Sequence, residues 1–465
     1  MYDRYRKISR VLGAVLFAAG LGVVAIGSRG SGKGVPFVEY TVSLKDSGLR
    51  VVSVECRIYS DPGGTLILAG TAGGERVPEP IGLRAFGPGG ERLGIEHGGA
   101  EWKLESPGGE IAFEYDIVLT VEDRYSPEIR SMLSSIEPGR SRLMGRDIFI
   151  VPSTAVEEGV IVDFSGFPGG RAVSAWEGSG NRVIVPSLGD LGELMAALGD
   201  YRVIEDRVAG EAITLAAGGK WDFEDEDLFR VVRDVAAVTI RMFGSSPHPR
   251  HLFICDVNPV RGSSGYDYYG LHFSRTVLLL LDSRIDRSRL FDVQMSIVAH
   301  EFFHNWNGGS VRPADDSFLW FTEGATVYYS YRILREAGVI ADSQLERAAE
   351  RIRRRYEENP LRAIVPIGEA ANSDLSDRDM VGILYDGGYL AAEALDMAIR
   401  RASGGKAELI DVLKSLYSGN PEGIDAGEED LRKAIMKLTG EDLGDLIERL
   451  TRRPSPFGPG SDLST

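Results

Sequence analysis

The sequence predicts an α+β protein with a β-rich first part and a helical last part. Between Pro36 and about Arg202 the chain holds short β-like runs such as RVVSVECRIYS and EIAFEYDIVLTV, separated by turns rich in Gly and Pro. From Asp292 onward almost every segment has the apolar spacing of a helix. Because strands come before helices instead of alternating with them, the two are expected to segregate, as they do in α+β proteins.

Composition limits the classes of protein that this chain could be. The 465 residues are 43% hydrophobic and 26% charged, with a net charge of −17, which is typical of a multidomain globular protein. A chain this acidic has no general attraction for phosphate backbones, so nucleic acid is not an expected partner. The two cysteines, Cys56 and Cys255, lie in no metal-binding motif and exclude a cysteine-ligated zinc. Whether they pair stays open, although a buried free thiol is favoured for Cys255.

The N-terminal segment predicts a membrane anchor. Residues 1–10 carry four cations, and residues 11–28 follow without any charge. This length approaches the roughly 20 apolar residues of a spanning helix and favours an uncleaved anchor over a cleaved signal peptide, which stays as the alternative. The excess of cations before the segment predicts a cytoplasmic N-terminus and an extracytoplasmic body, or a secreted protein if the segment is cut. Residues 29–36 are expected to form a linker.

Three folded domains are predicted beyond the linker. Residues 37–202 are expected to form a β-sandwich-like domain, because short strands and turns succeed one another there. Residues 203–342 mix strands with helices, and residues 343–453 are predicted to be helical. Residues 454–465 are rich in turn-forming residues and are expected to be a flexible tail.

One predicted helix has the spacing of a zinc site. In His300-Glu301-Phe302-Phe303-His304 the two histidines are four residues apart and therefore lie on one helix face. Glu301 is placed to accept a proton from water at such an ion. Glu323 follows with 18 residues between and offers a third ligand, which would leave one position open, as in catalytic zinc sites. Two core histidines are the alternative, but they leave a costly unpaired carboxylate at Glu301 among apolar residues.

The segments HEFFHNWN, VRP, LWFTEGATVYYSYRILREAG and LYDGGYLAAEALDM together resemble the glycyl aminopeptidase family of gluzincin zinc metallopeptidases. The resemblance implies a thermolysin-like catalytic domain at 203–342, built from a mixed sheet and zinc-binding helices, between the β domain and the α-helical domain. It implies one Zn²⁺ per chain, with roles for five residues: His300, His304 and Glu323 as ligands, Glu301 as general base and Tyr385 as oxyanion stabiliser. Asn305 and Asn307 are candidates for orienting the ligands, or for capping the helix end.

The chain also departs from this family. Relatives carry Gly-Gly-Leu-Glu-His before the zinc helix, and its Glu holds the free amino terminus of the substrate. The matching substrate-binding candidates here are Gly270, Leu271 and His272, so a histidine replaces that Glu. We expect His272 to line the cleft and to shift preference away from free N-termini; a satisfied polar residue at a strand end is the alternative. Gly387 stands where relatives have a lysine, and no C-terminal PDZ module is expected after residue 453.

These observations predict a membrane-anchored zinc metallopeptidase that is aminopeptidase-like, with altered recognition of the substrate N-terminus. The expected partners are a peptide or protein substrate and the membrane. An endopeptidase or a dipeptide-releasing peptidase is the enzymatic alternative. A non-catalytic, zinc-containing peptide-binding or scaffold protein is the alternative from another class. Side-chain preference and oligomeric state stay open.

Overall fold

The computed structural model describes most of the chain from Val38 onward. The described residues are 38–60, 63–70, 79–99, 101–119, 133–153, 159–169, 171–258, 268–284, 287–289, 295–372, 377–418, 423–454 and 457. The predicted anchor at 11–28 and the linker at 29–36 lie outside them.

The first part of the chain is built almost wholly from strands. They are β1 (Val38–Asp46), β2 (Val51–Ser60), β3 (Thr65–Gly70), β4 (Ile81–Phe86), β5 (Arg92–Leu93), β6 (Ile95–Gly98), β7 (Glu101–Glu105), β8 (Gly109–Val118), β9 (Ser135–Glu137), β10 (Arg140–Met144), β11 (Ile150–Pro152), β12 (Val160–Gly166), β13 (Glu177–Ser179), β14 (Arg182–Val185) and β15 (Met195–Gly199). A four-residue helix, α1 (Gly145–Ile148), follows β10, and a 3₁₀ turn covers Gly189–Leu191.

These strands form three sheets around one apolar core. The largest has the order β13-β14-β12-β1-β2-β8-β4-β5, the second β11-β3-β7-β6 and the third β15-β10-β9. Buried and half-exposed residues alternate along β1 and β8, because one face of the large sheet covers the core. The Tyr40 hydroxyl donates to the Ile150 carbonyl at 2.8 Å and so joins two of the sheets. The packed sheets agree with the β-rich first part that the sequence predicts.

A five-stranded mixed sheet follows and carries one wall of the candidate site. Its strands are β16 (Arg202–Val208), β17 (Glu211–Ala217), β18 (Arg250–Val257), β19 (Tyr269–Phe273) and β20 (Thr276–Leu281), in the order β16-β17-β18-β20-β19. The β17, β18 and β20 strands are parallel, whereas β16 and β19 pair antiparallel at the two edges. Helix α2 (Asp225–Phe243) lies between β17 and β18 in sequence and buries its apolar face in the same core.

The rest of the described chain is helical. The helices are α3 (Arg287–Arg289), α4 (Met295–Phe303), α5 (Leu319–Glu336), α6 (Asp342–Glu358), α7 (Arg378–Gly382), α8 (Gly388–Ala402), α9 (Leu409–Tyr417), α10 (Glu428–Thr439) and α11 (Gly444–Arg452). Two 3₁₀ turns cover Asp316–Phe318 and Ile367–Asn372, and Ile383–Gly387 forms a π-helical turn. A short parallel pair, β21 (Val311–Pro313) and β22 (Ile424–Ala426), joins the loop after α4 to the last helices. The α+β prediction is therefore confirmed; the exact domain limits stay predictions.

Helices α5 and α8 approach each other at a pair of glycines. A Cβ atom on Gly324 would lie 2.2 Å from the carbonyl carbon of Gly388, and one on Gly388 would lie 2.6 Å from the Trp320 oxygen. Because no side chain fits there, only glycine allows the two backbones to come this close. The contact fixes Glu323, next to Gly324, relative to the chain that leads into α8.

The two cysteines are free and buried. Cys56 lies in the core of the large sheet, and Cys255 lies on β18 in the core of the mixed sheet. Burial raises the pKa of each thiol, as is usual for a small apolar core residue. The question left open by the sequence is thus answered in favour of free thiols.

The prediction of a transmembrane protein is wrong. None of the helices in the described part of the chain has both the length and the apolar character needed to cross a membrane. Helix α5, for example, contains Glu323, Arg332, Arg335 and Glu336, whereas a spanning helix needs about 20 mostly apolar residues. The prediction was a single-pass transmembrane protein with an extracytoplasmic body. It rested on residues 11–28, which lie outside the described part of the chain. The membrane is therefore not supported as a partner of this protein either.

Candidate active site

Helix α4 and the turn after it bring two histidines together. His300 lies in the last turn of α4, and the backbone N–H of His304 continues the helical pattern by donating to the His300 carbonyl at 3.3 Å. The two rings are perpendicular, with centroids 4.7 Å apart and Nε2 atoms 3.1 Å apart. The four-residue spacing therefore brings both Nε2 atoms to one point, as the sequence predicts.

Helix α5 brings Glu323 to the same point. Its side chain is fully buried, and Oε2 lies 3.3 Å from His300 Nε2 and 3.6 Å from His304 Nε2. The ligand atoms of the three residues all lie within 4.8 Å of one another. Within the described residues this is the one such cluster of three His, Cys, Asp or Glu side chains.

Asn307 supports this arrangement from the turn after α4. His304 Nδ1 lies 2.8 Å from the Asn307 carbonyl oxygen, so Nδ1–H donates there and Nε2 faces the centre of the cluster. The Asn307 amide donates to the Thr322 carbonyl at 2.9 Å and to the Thr326 hydroxyl at 3.1 Å, both on α5. Asn305 instead donates to the Phe302 carbonyl at 2.9 Å, as a helix-end cap does. Asn307 thus ties one histidine to the helix that carries Glu323.

The charges of the cluster fit a divalent cation. Neither Glu323 oxygen has a hydrogen bond of ordinary geometry from the described residues, although the carboxylate is wholly buried. Burial would raise the pKa of Glu323, but His304 and His300 lower it below its usual value. Burial would likewise lower the pKa of His304, yet Glu323 raises it to about 9. Two imidazole nitrogens and a buried carboxylate are the donor set of catalytic zinc sites, so these residues fit Zn²⁺.

Glu301 lies beside the cluster and against the edge strand β19. It is 5% exposed, and burial raises the pKa of its carboxyl while His300 and His304 lower it. The His272 backbone donates to this carboxylate. A Cβ atom on Gly270 would lie 2.5 Å from Glu301 Cγ and 2.6 Å from Oε1. Gly270 therefore leaves the space that the Glu301 side chain fills.

We expect Gly270→Ala to lower kcat by at least about tenfold, because the added methyl group must displace Glu301, and small misplacements of reacting groups are costly in rate. The measurement is steady-state kcat on a cleaved peptide, together with the thermal unfolding midpoint. Gly98→Ala is the matched control, since a Cβ atom there meets nothing within 4 Å. Equal kcat for the wild type and Gly270→Ala would contradict the placement of Glu301.

Tyr385 reaches the site from the π-helical turn. Its ring stacks 6.0 Å from the His300 ring, at an interplanar angle of 21°. Burial raises the pKa of Tyr385 well above its usual range, and the carboxylates of Glu323 and Glu301 raise it further. The hydroxyl therefore stays protonated and able to donate.

The π-helical turn itself was not predicted from the sequence. The glycines around it, Gly382, Gly387 and Gly388, were the signal that could have indicated an irregular backbone there.

The three substrate-binding candidates on β19 separate onto two faces. Successive side chains on a strand point to opposite sides, so Gly270 and His272 face α4 while Leu271 packs among apolar residues on the other side. The His272 ring lies 6.2 Å from the His304 ring. Burial and then His304 lower the pKa of His272 to about 3, so this residue is neutral near pH 7. The structure thus brings two of the three candidates to the site.

The fold is that of M1-type zinc metallopeptidases. The chain matches an aminopeptidase N family protein from Idiomarina loihiensis with a TM-score of 0.75 and 16% identity, over 90% of this chain and 76% of that one. It matches an M1 zinc metallopeptidase variant from Deinococcus radiodurans, bound to a Tyr-Ser-Ala substrate, with a TM-score of 0.58 and 15% identity, over 91% and 95% of the two chains.

The sequence of the segment that carries the site gives a more specific match than the fold does. Residues 293–386 match the model of the M61 glycyl aminopeptidase family, which confirms the resemblance found in the sequence. None of the curated proteins compared with the chain matches it. The match over residues 293–386 supports a peptidase of aminopeptidase type, and the structural matches show the fold.

Proposed function

We propose that the protein is a zinc-dependent peptidase that hydrolyses peptide bonds. One observation carries the proposal: His300, His304 and the buried Glu323 converge within 4.8 Å, with Glu301 and Tyr385 beside them. His300, His304 and Glu323 would hold one zinc ion per chain. When bound, zinc would supply Lewis-acid polarisation of the substrate carbonyl and would make water more acidic.

The remaining steps fall to this chain's own residues. Glu301 is buried beside the cluster and would accept the proton of the attacking water, then pass it to the leaving amine. Tyr385 would donate a hydrogen bond to the oxygen on which negative charge develops. Asn307 would keep the His304 ring in the orientation that presents Nε2.

The number of candidate ligands favours catalysis over a scaffold role. Structural zinc is normally enclosed by four protein ligands, whereas catalytic sites have three and keep a position for water or substrate. In the described part of the chain, the cluster has only its three members. This supports the enzyme over the non-catalytic peptide-binding alternative.

The direct test is digestion of a defined peptide mixture by the purified chain, with cleavage positions identified by mass spectrometry. We expect cleavage that stops after removal of metal by 1,10-phenanthroline and returns when zinc is added. Removal of single N-terminal residues would identify an aminopeptidase, whereas dipeptide release or internal cleavage would identify the alternatives. Zinc-loaded protein that cleaves nothing in the mixture would instead favour the scaffold.

Recognition of the substrate amino terminus is the finer part of the proposal. An ammonium group needs a negative partner, and His272 is neutral where relatives have a carboxylate. We expect a free peptide and its N-acetylated form to be cleaved with kcat/KM values within about threefold. His272→Glu should increase the preference for the free amine by about tenfold or more, which corresponds to roughly 1.4 kcal/mol.

The matched control for that comparison is His97→Glu, on β6 and outside the site. A wild-type enzyme that strongly prefers free amines would contradict the proposal for His272. It would leave the zinc peptidase itself unaffected.

A further inference from the structure

The Tyr385 hydroxyl depends on an irregular piece of backbone. Tyr385 is the central residue of the π-helical turn Ile383–Gly387, which interrupts the helical run between α7 and α8. A π turn holds one residue more than an α-helical turn, so it rotates the side chains that follow. Such turns persist where neighbouring groups hold them. The groups that hold this turn therefore decide where the hydroxyl lies.

An ion pair holds the residue next to Tyr385. Arg355, in the last turn of α6, donates from Nε to Asp386 Oδ2 at 2.9 Å and from Nη2 to Oδ1 at 2.5 Å. This two-point contact fixes the plane of the carboxylate as well as its position. The Asp386 side chain is 11% exposed and that of Arg355 is 54% exposed. An ion pair with one half-exposed partner adds little to the free energy of unfolding. Its main effect is therefore to fix the position of Asp386 in the turn.

The same end of α6 contacts both ends of the turn. Tyr356 lies against Gly387, where a Cβ atom would meet its ring carbon at 2.9 Å. Asn359 lies against Gly382, and its amide donates to the Asp379 carbonyl on α7 at 2.8 Å. Between these two contacts, Arg355 binds Asp386, the residue that follows Tyr385. The three contacts hold the backbone just before the π turn, the residue that follows Tyr385, and the last residue of the turn.

We propose that Arg355 and Asp386 are positioning residues that hold the Tyr385 hydroxyl at the site. The inference rests on the proposed function, because it assumes that Tyr385 assists the reaction. Neither residue touches His300, His304 or Glu323 in the structure. Their effect passes through the backbone of the π turn, so loss of the pair weakens donation to the reacting oxygen and leaves metal binding intact.

The experiment uses the zinc-loaded chain of 465 residues and compares Arg355→Gln, Arg355→Lys, Asp386→Asn, Tyr385→Phe and the double variant of Arg355→Gln with Tyr385→Phe. Arg355→Gln should lower kcat about tenfold with KM within twofold of the wild type and unchanged zinc content. Arg355→Lys should recover part of the loss, since lysine restores the charge without the two-point contact. In the Tyr385→Phe background Arg355→Gln should have no further effect, because the hydroxyl that it positions is gone. Arg354→Gln is the matched control, because Arg354 is the exposed neighbour of Arg355 along the helix.

A second readout does not depend on turnover. With 3-fluorotyrosine incorporated, the ¹⁹F resonance that disappears in Tyr385→Phe reports the surroundings of this ring. We expect this resonance to shift or broaden in Arg355→Gln and to remain unchanged in Arg354→Gln.

The outcomes distinguish failure of the role assigned to Tyr385 from failure of the positioning role of Arg355. If Tyr385→Phe keeps the wild-type kcat, the assigned role of Tyr385 fails. If Tyr385→Phe is impaired but Arg355→Gln is not, or if Arg355→Gln raises KM alone, the positioning role is overturned and the proposed peptidase stands. Additive losses in the double variant would overturn it as well.

Discussion

Replacement of Glu301 by Gln is expected to lower kcat by about 10²–10⁴-fold while the protein keeps its zinc. The carboxylate is buried between Gly270 and the candidate zinc ligands, and Glu323 is the only other described carboxylate whose charge acts on it. Glutamine has the same size and can still occupy the cavity, but it cannot accept the proton of water. The loss should therefore appear in kcat and not in folding.

The measurement is steady-state kinetics on the peptide that the wild type cleaves best, with zinc content determined on the same samples. Glu357→Gln, an exposed carboxylate at the end of α6, is the control for the substitution itself. A Glu301→Gln enzyme within threefold of the wild type would remove Glu301 from the mechanism. Loss of zinc in the variant would instead show that the residue is needed for the structure of the site.

Replacement of Glu323 by Gln is expected to remove zinc binding together with activity. Loss of a supporting hydrogen-bond partner typically weakens metal binding by about 10–100-fold, and loss of a ligand should exceed this. Glu323 also balances the charge of a site in which both imidazoles face the same point. Its amide replacement keeps the volume but removes the negative charge that a dication needs.

Thermal unfolding with and without added zinc tests this expectation. A ligand at 100 times its dissociation constant stabilises the folded state by about 2.7 kcal/mol, so the wild-type midpoint should rise on addition of zinc. The Glu323→Gln midpoint should stay constant, whereas Glu301→Gln should show the wild-type rise and so serves as the control. Equal zinc stabilisation of Glu323→Gln and the wild type would exclude Glu323 as a ligand.

Much of the candidate site could be predicted because its signal is local. The four-residue spacing of His300 and His304 is a property of any α-helix, and Glu323 falls in the next helical pattern along the chain. Tyr385 was predicted mainly through the resemblance to a family, since one tyrosine among 17 has no distinguishing local pattern.

Other features depended on contacts between distant segments. The support of His304 by the Asn307 carbonyl depends on the shape of the turn after α4. The separation of Leu271 from His272 required the orientation of β19 relative to α4. The membrane prediction was wrong: it rested on an uncharged run outside the described residues, and none of the described helices is long and apolar enough to cross a membrane.

The sequence by itself determined the α+β organisation and the convergence of the two histidine side chains at one point, because periodicity and helical spacing act over a few residues. Only the tertiary structure decided that Glu323 closes the cluster, that Gly270 leaves room for Glu301 and that Arg355 holds the turn of Tyr385. These are packing relations between segments far apart along the chain. Their geometry is decided by the balance of burial, backbone approach and charge pairing over the whole core, which no local pattern contains.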